Sequence, residues 1–316
     1  MKRFAEIGIH PRGKLGQNFL IDLNLLRLLF DSAQLEARDV VLEVGTGMGS
    51  LTGLMSQSAA RVVTVDVDPV LHQLAKEELQ DRTNITFIHA DILRNKNRLN
   101  PDVLDAVRTA LAEVPDARFK LAANLPYSIA TPLMSNLLLT DIVPYSMTVT
   151  IQKELAERIV ARPSTKDYSS LSVWMQSQCR CHFVRNLPPS VFWPRPKVDS
   201  AIIQVIYDPR LRKRIPDLEF FHEFSRAIFF HRRKFLRSEL VAMLKDKLDK
   251  PAIDGIMSEM GFTDQTRAET LTVEKLLQLC EIIRRQLPPD KRKLLSSEAG
   301  RAKSASAVSV AKRGRP

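Results

Sequence analysis

Four polar side chains in the first half of the chain stand where short apolar runs end: Glu43, Asp66, Asp91 and Asn124. The runs at 39–44, 61–65, 85–89 and 119–123 are β-branched or too short for helices, and read as strands. The last feeds Asn124-Leu125-Pro126-Tyr127, a corner stiffened by proline, which fixes φ. Asparagine brings a carbonyl acceptor and an amide donor, and tyrosine a flat face on which a base stacks. That set suits an exocyclic amine on an aromatic ring. The lone pair of such an amine is delocalised and must be localised before it attacks. Acceptors aimed at its two N–H bonds, Asn124 Oδ1 and the Leu125 carbonyl, favour the pyramidal, nucleophilic form. Taken alone, these four residues also read as a plain strand-to-helix turn. Their company separates the readings: polar groups at four successive strand ends are what an open α/β sheet needs for a site at its carboxyl edge.

The first strand runs into Gly45-Thr46-Gly47-Met48-Gly49 and then a helix over 50–55. Glycines there let backbone pass close to a ligand and turn sharply into a helix N-terminus. A dinucleotide fingerprint wants its third glycine three positions after the second, and that position is Ser50. Glu43-x-Gly45-x-Gly47-x-Gly49 instead resembles the pattern of class I methyltransferases, whose cofactor is S-adenosylmethionine. Asp66, about 20 residues past the glycines, is placed to accept both ribose hydroxyls. Asp91 is placed to accept from the cofactor's adenine N6, with Ile92 against the ring. Asp68, followed by Pro69 at N1, reads as a helix cap. Gln17-Asn18 precedes a helix over 23–35 capped by Asp22, and is either an ordinary loop or a pair of amides folding over the ligand. No Ser–His–Asp, His–Cys or metal-ligand spacing stands out, so neither nucleophilic nor metal catalysis is expected.

The elements that must position these groups form an α/β fold: a Rossmann-like class I methyltransferase sheet with a smaller C-terminal helical domain. Residues 94–118 read as a charged, helical surface crossover. Strands at 179–184 and 201–207 read as a pair closing the sheet. Between them, 188–200 is proline-rich and carries Phe192 and Trp193 beside Arg195 and Lys197. Those rings either cover the edge of the core or form a stacking platform for nucleic acid. From 208 the composition shifts to basic helices expected at 217–230, 231–244, 251–260 and 273–287. The segment 231–237 holds His231, Arg232, Arg233, Lys234 and Arg237 with no acid, reading as a solvated or a phosphate-contacting helix. The domains are therefore drawn at 1–207, 208–289 and a disordered basic tail at 290–316.

A chain of 316 residues, 44% hydrophobic and 26% charged, fits two soluble domains. Its net charge of +11 points to a polyanion, but +7 of it lies in 291–316. Three cysteines (179, 181 and 280) fit neither a disulfide framework nor a zinc site. No apolar run approaches a membrane span and the N-terminus lacks an apolar signal core. A cytoplasmic protein without membrane association is expected.

With Gln17–Leu20, Glu43–Gly49, Asn124–Tyr127 and Phe192-x-Pro194-x-Pro196-Lys197-Val198-Asp199-Ser200 in hand, the chain resembles the ribosomal RNA adenine dimethyltransferase family. The bacterial small-subunit branch, methyltransferase A, fits best, from about Gly13 to Leu287. The resemblance implies an S-adenosylmethionine-dependent enzyme that dimethylates two adjacent adenosines in a loop near the 3′ end of 16S rRNA. It implies the 16S rRNA and small ribosomal subunit as partners; a monomer is expected. It implies cofactor contacts at Asn18, Leu20, Gly45, Asp66, Asp91 and Asn124, beside Glu43, Gly47 and Ile92 of the same motifs. Asn124 and Leu125 would hold the target N6, and Tyr127 and Phe192 would sandwich the flipped adenine. Asp66 stands where many members have Glu, which shortens its reach to the ribose. Alternatives are a large-subunit rRNA dimethyltransferase, a nicotinamide dehydrogenase and a non-catalytic ribosome-assembly factor.

Overall fold

The computed structural model describes residues 15–294. The N-terminal residues before them, and the expected tail from 295 on, lie outside the described residues. Within them the strands are β1 (Phe19–Leu20), β2 (Asp39–Val44), β3 (Arg61–Asp66), β4 (Ile85–His89), β5 (Leu93–Asn95) and β6 (Arg98–Leu99). They continue with β7 (Arg118–Asn124), β8 (Ser146–Gln152), β9 (Cys179–Leu187), β10 (Phe192–Trp193) and β11 (Ser200–Tyr207).

Seven of these form one sheet in the order β4-β3-β2-β7-β8-β11-β9. The first five are parallel, and β11 and β9 add antiparallel at one end. Helices over both faces explain the composition: β2, β3 and β8 are buried almost throughout, β2 and β3 as largely apolar runs and β8 as apolar residues alternating with buried Ser146, Thr148 and Thr150. From β2 the chain steps outward through β3 to β4, then returns to lay β7 and β8 on the other side. The order therefore reverses between β2 and β7. A crevice opens outside the carboxyl ends of strands at such a reversal, and there the glycine turn after β2 meets the Asn-Leu-Pro-Tyr corner after β7.

Local chemistry fixes the helices. Asp22 accepts from the amides of Asn24 and Leu25 and starts Leu23–Ser32. Asp68 accepts from Val70 N and, with Pro69 at N1, starts Pro69–Glu78. The crossover expected to be helical over 94–118 is different. Only Pro101–Ala112 is helix, and 93–99 is the antiparallel hairpin β5–β6. The Asn95 side chain accepts from Asn97 N at 2.9 Å, an Asx turn that competes with helix at this spot.

At the amino end of the sheet, Asp39 is fully buried against Lys120 Nζ at 2.7 Å and Arg118 Nε at 3.1 Å. Lys120 also donates to the carbonyl of Gln34 at 2.6 Å. Removing one member of such a group strands the other's charge. Lys120→Met is expected to cost about 2–3 kcal/mol of unfolding free energy, because Arg118 still faces Asp39. Urea denaturation checks it, and the double variant Asp39→Asn, Lys120→Met is expected to recover part of the loss.

The chain divides into two compact units: the first to Val160 plus Cys179–Asp208, the second Ala161–Gln178 plus the chain from Pro209. The single boundary expected near 208 is thus corrected, since 161–178 belongs with the later helices. Two aromatic anchors explain why. Trp174, 2% exposed, meets the rings of Phe221 and His222 at 6.3 and 4.4 Å. Tyr168 is buried and its hydroxyl donates to the carbonyl of Leu271 at 3.0 Å. The helices of this unit include Leu218–Ile228, Leu236–Met243, Lys250–Glu259 and Val273–Gln286. The helix expected from 231 begins only at Leu236. Before it, Phe235 bridges Arg267 and Leu236 N donates to the carbonyl of Thr266 at 2.7 Å, which holds the preceding residues out of helix. Among the described residues no helix is long and apolar enough to cross a membrane.

Candidate active site

The crevice at the strand-order reversal holds a cavity of about 200 Å³. Asn18, Gly45, Gly47, Asp66, Asp91, Ile92, Asn124 and Leu125 line it, so eight of the residues expected at the site come together. Gly45 has φ +85°, and a Cβ there would meet Pro126 Cδ at 3.4 Å. That contact distance is ordinary, so it is the left-handed φ that calls for glycine where the turn after β2 packs on the Asn-Leu-Pro-Tyr corner. Gly47, at φ +56°, packs beside the Phe19 ring, whose atoms would stand at ordinary contact distance, 3.5 Å, from a Cβ. Phe19 in turn stacks with Trp193 at 6.2 Å between centroids, across the β1–β10 pair.

Asp66 is 7% exposed, and its oxygens accept from Gly47 N at 3.0 Å and Asp68 N at 2.9 Å. Burial pushes its pKa up, opposed by those two amide bonds. Each carboxylate oxygen retains a further lone pair for a hydroxyl donor. Asp91 is exposed and accepts from Leu93 N at 2.8 Å, while Ile92 beside it is buried. Asn124 Nδ2 donates to the carbonyl of Asn18 at 2.9 Å. That bond fixes the amide's orientation and turns Oδ1, the acceptor, to the other side. Gln17 Nε2 donates to Asp68 Oδ2 at 3.0 Å, pinning the loop before β1 to the start of the Pro69–Glu78 helix. The amides of Gln17 and Asn18 are thus part of the cavity wall.

Other expected residues stand elsewhere. Glu43 and Leu20 line an adjoining groove of about 620 Å³ on the far side of Phe19 and the glycine turn. The Glu43 carboxylate accepts from Thr52 Oγ1 at 2.5 Å and Thr64 Oγ1 at 2.7 Å. It braces the turn from beneath, because the side chain of the penultimate strand residue points into the protein. Phe192 corrects the expectation of an open stacking face: it is 3% exposed, paired with Leu20 and packed in a cluster with Leu26, Leu29 and Ile202. A strand pair between β1 and β10 draws the ring inward. Tyr127 is half-buried and lines neither cavity; its hydroxyl lies 2.5 Å from Ser200 Oγ. This contact with Ser200 is one that sequence reasoning missed, since only the fold brings the start of β11 to the corner after β7.

The expected RNA-contacting cations divide in the same way. Arg195, Lys197, Arg233 and Lys234 are exposed. Arg232 pairs with Glu269 at 2.9 Å and donates to the carbonyl of Tyr168, while Arg237 makes a bidentate pair with Asp254. These two are committed within the second unit and hold its turns together.

A family model described as ribosomal RNA adenine dimethylase matches residues 9–279. A ribosomal RNA small subunit methyltransferase A from Anoxybacillus flavithermus is 36% identical over 278 residues, covering 87% of this chain and 91% of the relative. One of the same description from Geobacillus sp. is 36% identical over 284 residues, covering 89% and 94%. Among solved structures, a dimethyladenosine transferase from Plasmodium falciparum has a TM-score of 0.71 at 22% identity, covering 85% of this chain and 98% of that one. The 23S rRNA methyltransferase ErmE has a TM-score of 0.59 at 22% identity, covering 84% and 99%. These two structures share the class I methyltransferase fold. Match and identity extend across both units, and the chain belongs to the ribosomal RNA adenine dimethylase family.

Proposed function

We propose that this enzyme uses S-adenosylmethionine to dimethylate N6 of two adjacent adenosines in a loop near the 3′ end of 16S rRNA, in the small ribosomal subunit. The observation that carries the reading is one cavity wall shared by Asn124, Leu125, Gly45, Asp66 and Asp91 at the sheet's carboxyl edge. The donor set fits the cofactor. Asp66 would hold its ribose hydroxyls, Asp91 its adenine amine with Ile92 against the ring, and Asn18 with the Gly45–Gly47 backbone its amino-acid end. When bound, that group supplies an electrophilic methyl on a sulfonium. Leu20 and Glu43 support this wall from the adjoining groove.

The chain's own residues prepare the nucleophile. Asn124 Oδ1 and the Leu125 carbonyl accept the two N–H bonds of the target amine and localise its lone pair. The bond from Asn124 Nδ2 to Asn18 holds that acceptor in place before substrate arrives. The carboxylates of the wall already accept backbone N–H groups, and orientation supplies most of the rate. Loop adenosines are partly unstacked, so extruding one costs less than opening a duplex. Tyr127 offers its ring to the base, and Arg195, Lys197, Arg233 and Lys234 are the exposed cations for the RNA backbone.

Ser200 acts through Tyr127. Ser200→Ala and Tyr127→Phe are each expected to raise KM for RNA a few-fold, with the double variant no worse than either single. Tyr127→Ala, which removes the stack, is expected to lose ~10–100-fold. The defining experiment supplies labelled donor and under-methylated 30S particles and maps the modified bases. Dimethyladenosine near the 3′ end of 16S rRNA is the expected result. Label confined to 23S rRNA, or binding without transfer, would overturn it.

A further inference from the structure

The hairpin β5–β6 carries Arg94, Lys96 and Arg98 in five residues without an acid, and all of 94–98 is exposed. Among the described residues none of these three cations makes an ion pair. Leu93 faces Leu99 across the pair, which turns the apolar side of the hairpin inward. The hairpin is mounted on the active-site wall. It leaves directly from Asp91 and Ile92, and its far end closes on the same two residues. Asn100 N donates to the carbonyl of Ile92 at 2.8 Å and Asn100 Nδ2 to that of Asp91 at 3.0 Å. At its tip, Asn136 Nδ2 donates to the carbonyl of Lys96 at 3.3 Å. Asn136 belongs to the helix Ala130–Leu137 that follows the Asn-Leu-Pro-Tyr corner. Both anchors therefore lead back to residues lining the cavity.

We infer that this hairpin is a phosphate-binding arm that grips the RNA backbone flanking the target adenosine; the inference rests on the reading of the site as an RNA methyltransferase. Cations at every second position, with Asn95 and Asn97 between them, match the side chains that contact phosphate and sugar oxygens. The fixed tip loses little conformational freedom on binding, which is what a positioning contact needs. The nearest acids in sequence, Asp91 and Asp102, lie at the base of the hairpin rather than at its tip. A protein partner is disfavoured, because interface cores want aromatic or apolar residues, and 94–98 exposes none.

The test compares the full chain with the triple variant Arg94→Ser, Lys96→Ser, Arg98→Ser, measuring affinity for naked 16S rRNA fragments across a salt series. Loss of three phosphate contacts is expected to flatten the log–log salt dependence by about 2 and weaken binding at low salt at least ~10-fold. Cofactor affinity, read by titration, stays unchanged. A gain variant, Asn97→Lys, is expected to steepen the slope by about 0.7, which keeps the test decisive should the triple variant fold poorly. Unchanged slopes in both variants overturn the inference, as does weakened binding to 30S particles with unchanged binding to naked RNA, which would assign the arm to a ribosomal protein. Methyl transfer by the parent chain is scored separately. Its absence would sink the functional reading, while the salt slopes still decide the role of the hairpin.

Discussion

Asn124→Ala is expected to lower methyl transfer to ribosomal RNA by ~10²–10³-fold, the range for deleting one preorganised hydrogen-bonding group at a reacting centre. The loss should fall on kcat, because the acceptor matters most while the amine pyramidalises. Two bonds are at stake in this substitution. Oδ1 is the proposed acceptor of the target N–H, and Nδ2 donates to the Asn18 carbonyl at 2.9 Å. Asn124→Asp separates them: it keeps an acceptor toward the substrate but turns a second oxygen against Asn18 O, so the loop before β1 loosens. Cofactor affinity should therefore weaken in the Asp variant by more than in the Ala variant, while only Ala removes the acceptor outright. Single-turnover transfer and cofactor titration on both variants provide the check. Undiminished transfer by the Ala variant would falsify the assignment of Asn124 as acceptor.

The parallel sheet and the residues at its carboxyl edge were legible because each leaves a local trace: apolar runs ending in Asp66, Asp91 and Asn124, glycines at the first turn, Asp22 and Asp68 as caps. What escaped depends on long-range pairing. The hydroxyls of Tyr127 and Ser200 meet although 73 residues separate them, and nothing near Ser200 announces it. Phe192 reads as a free ring because prolines surround it, yet pairing with Leu20 brings it into the core. Arg232 and Arg237 look like partners for phosphate until the fold supplies Glu269 and Asp254. A run of cations shows charge, but only the tertiary structure shows which charges are already spent. The hairpin at 93–99 escaped for a different reason: its strands are three and two residues long, too short for any periodicity to register.

Glu43 yields a prediction about stability against pH. Burial pushes its carboxyl up to about 8, against the hydrogen bonds from Thr52 and Thr64, with the charge of Asp66 adding a smaller upward push. In the unfolded chain the group ionises near its ordinary 4.5. Between those values the folded chain binds a proton that the unfolded chain has released, so stability must fall as pH rises from about 4.5 to about 8. Below that window the group contributes no slope, and above it the whole cost has been met. The cost is on the order of 5 kcal/mol. Glu43→Gln removes the titration while its amide oxygen still accepts from Thr52 and Thr64. Its melting temperature is expected to be higher than that of the parent at pH 8 and close to it at pH 5. Scanning calorimetry across that range reads the difference, and parallel slopes for the two proteins would show that Glu43 is ionised in the fold at neutral pH. The same carboxyl bears on the site, since Thr64 links it to Thr46 of the glycine turn at 2.7 Å. Above pH 8 an ionised Glu43 adds negative charge beneath that turn, toward Asp66.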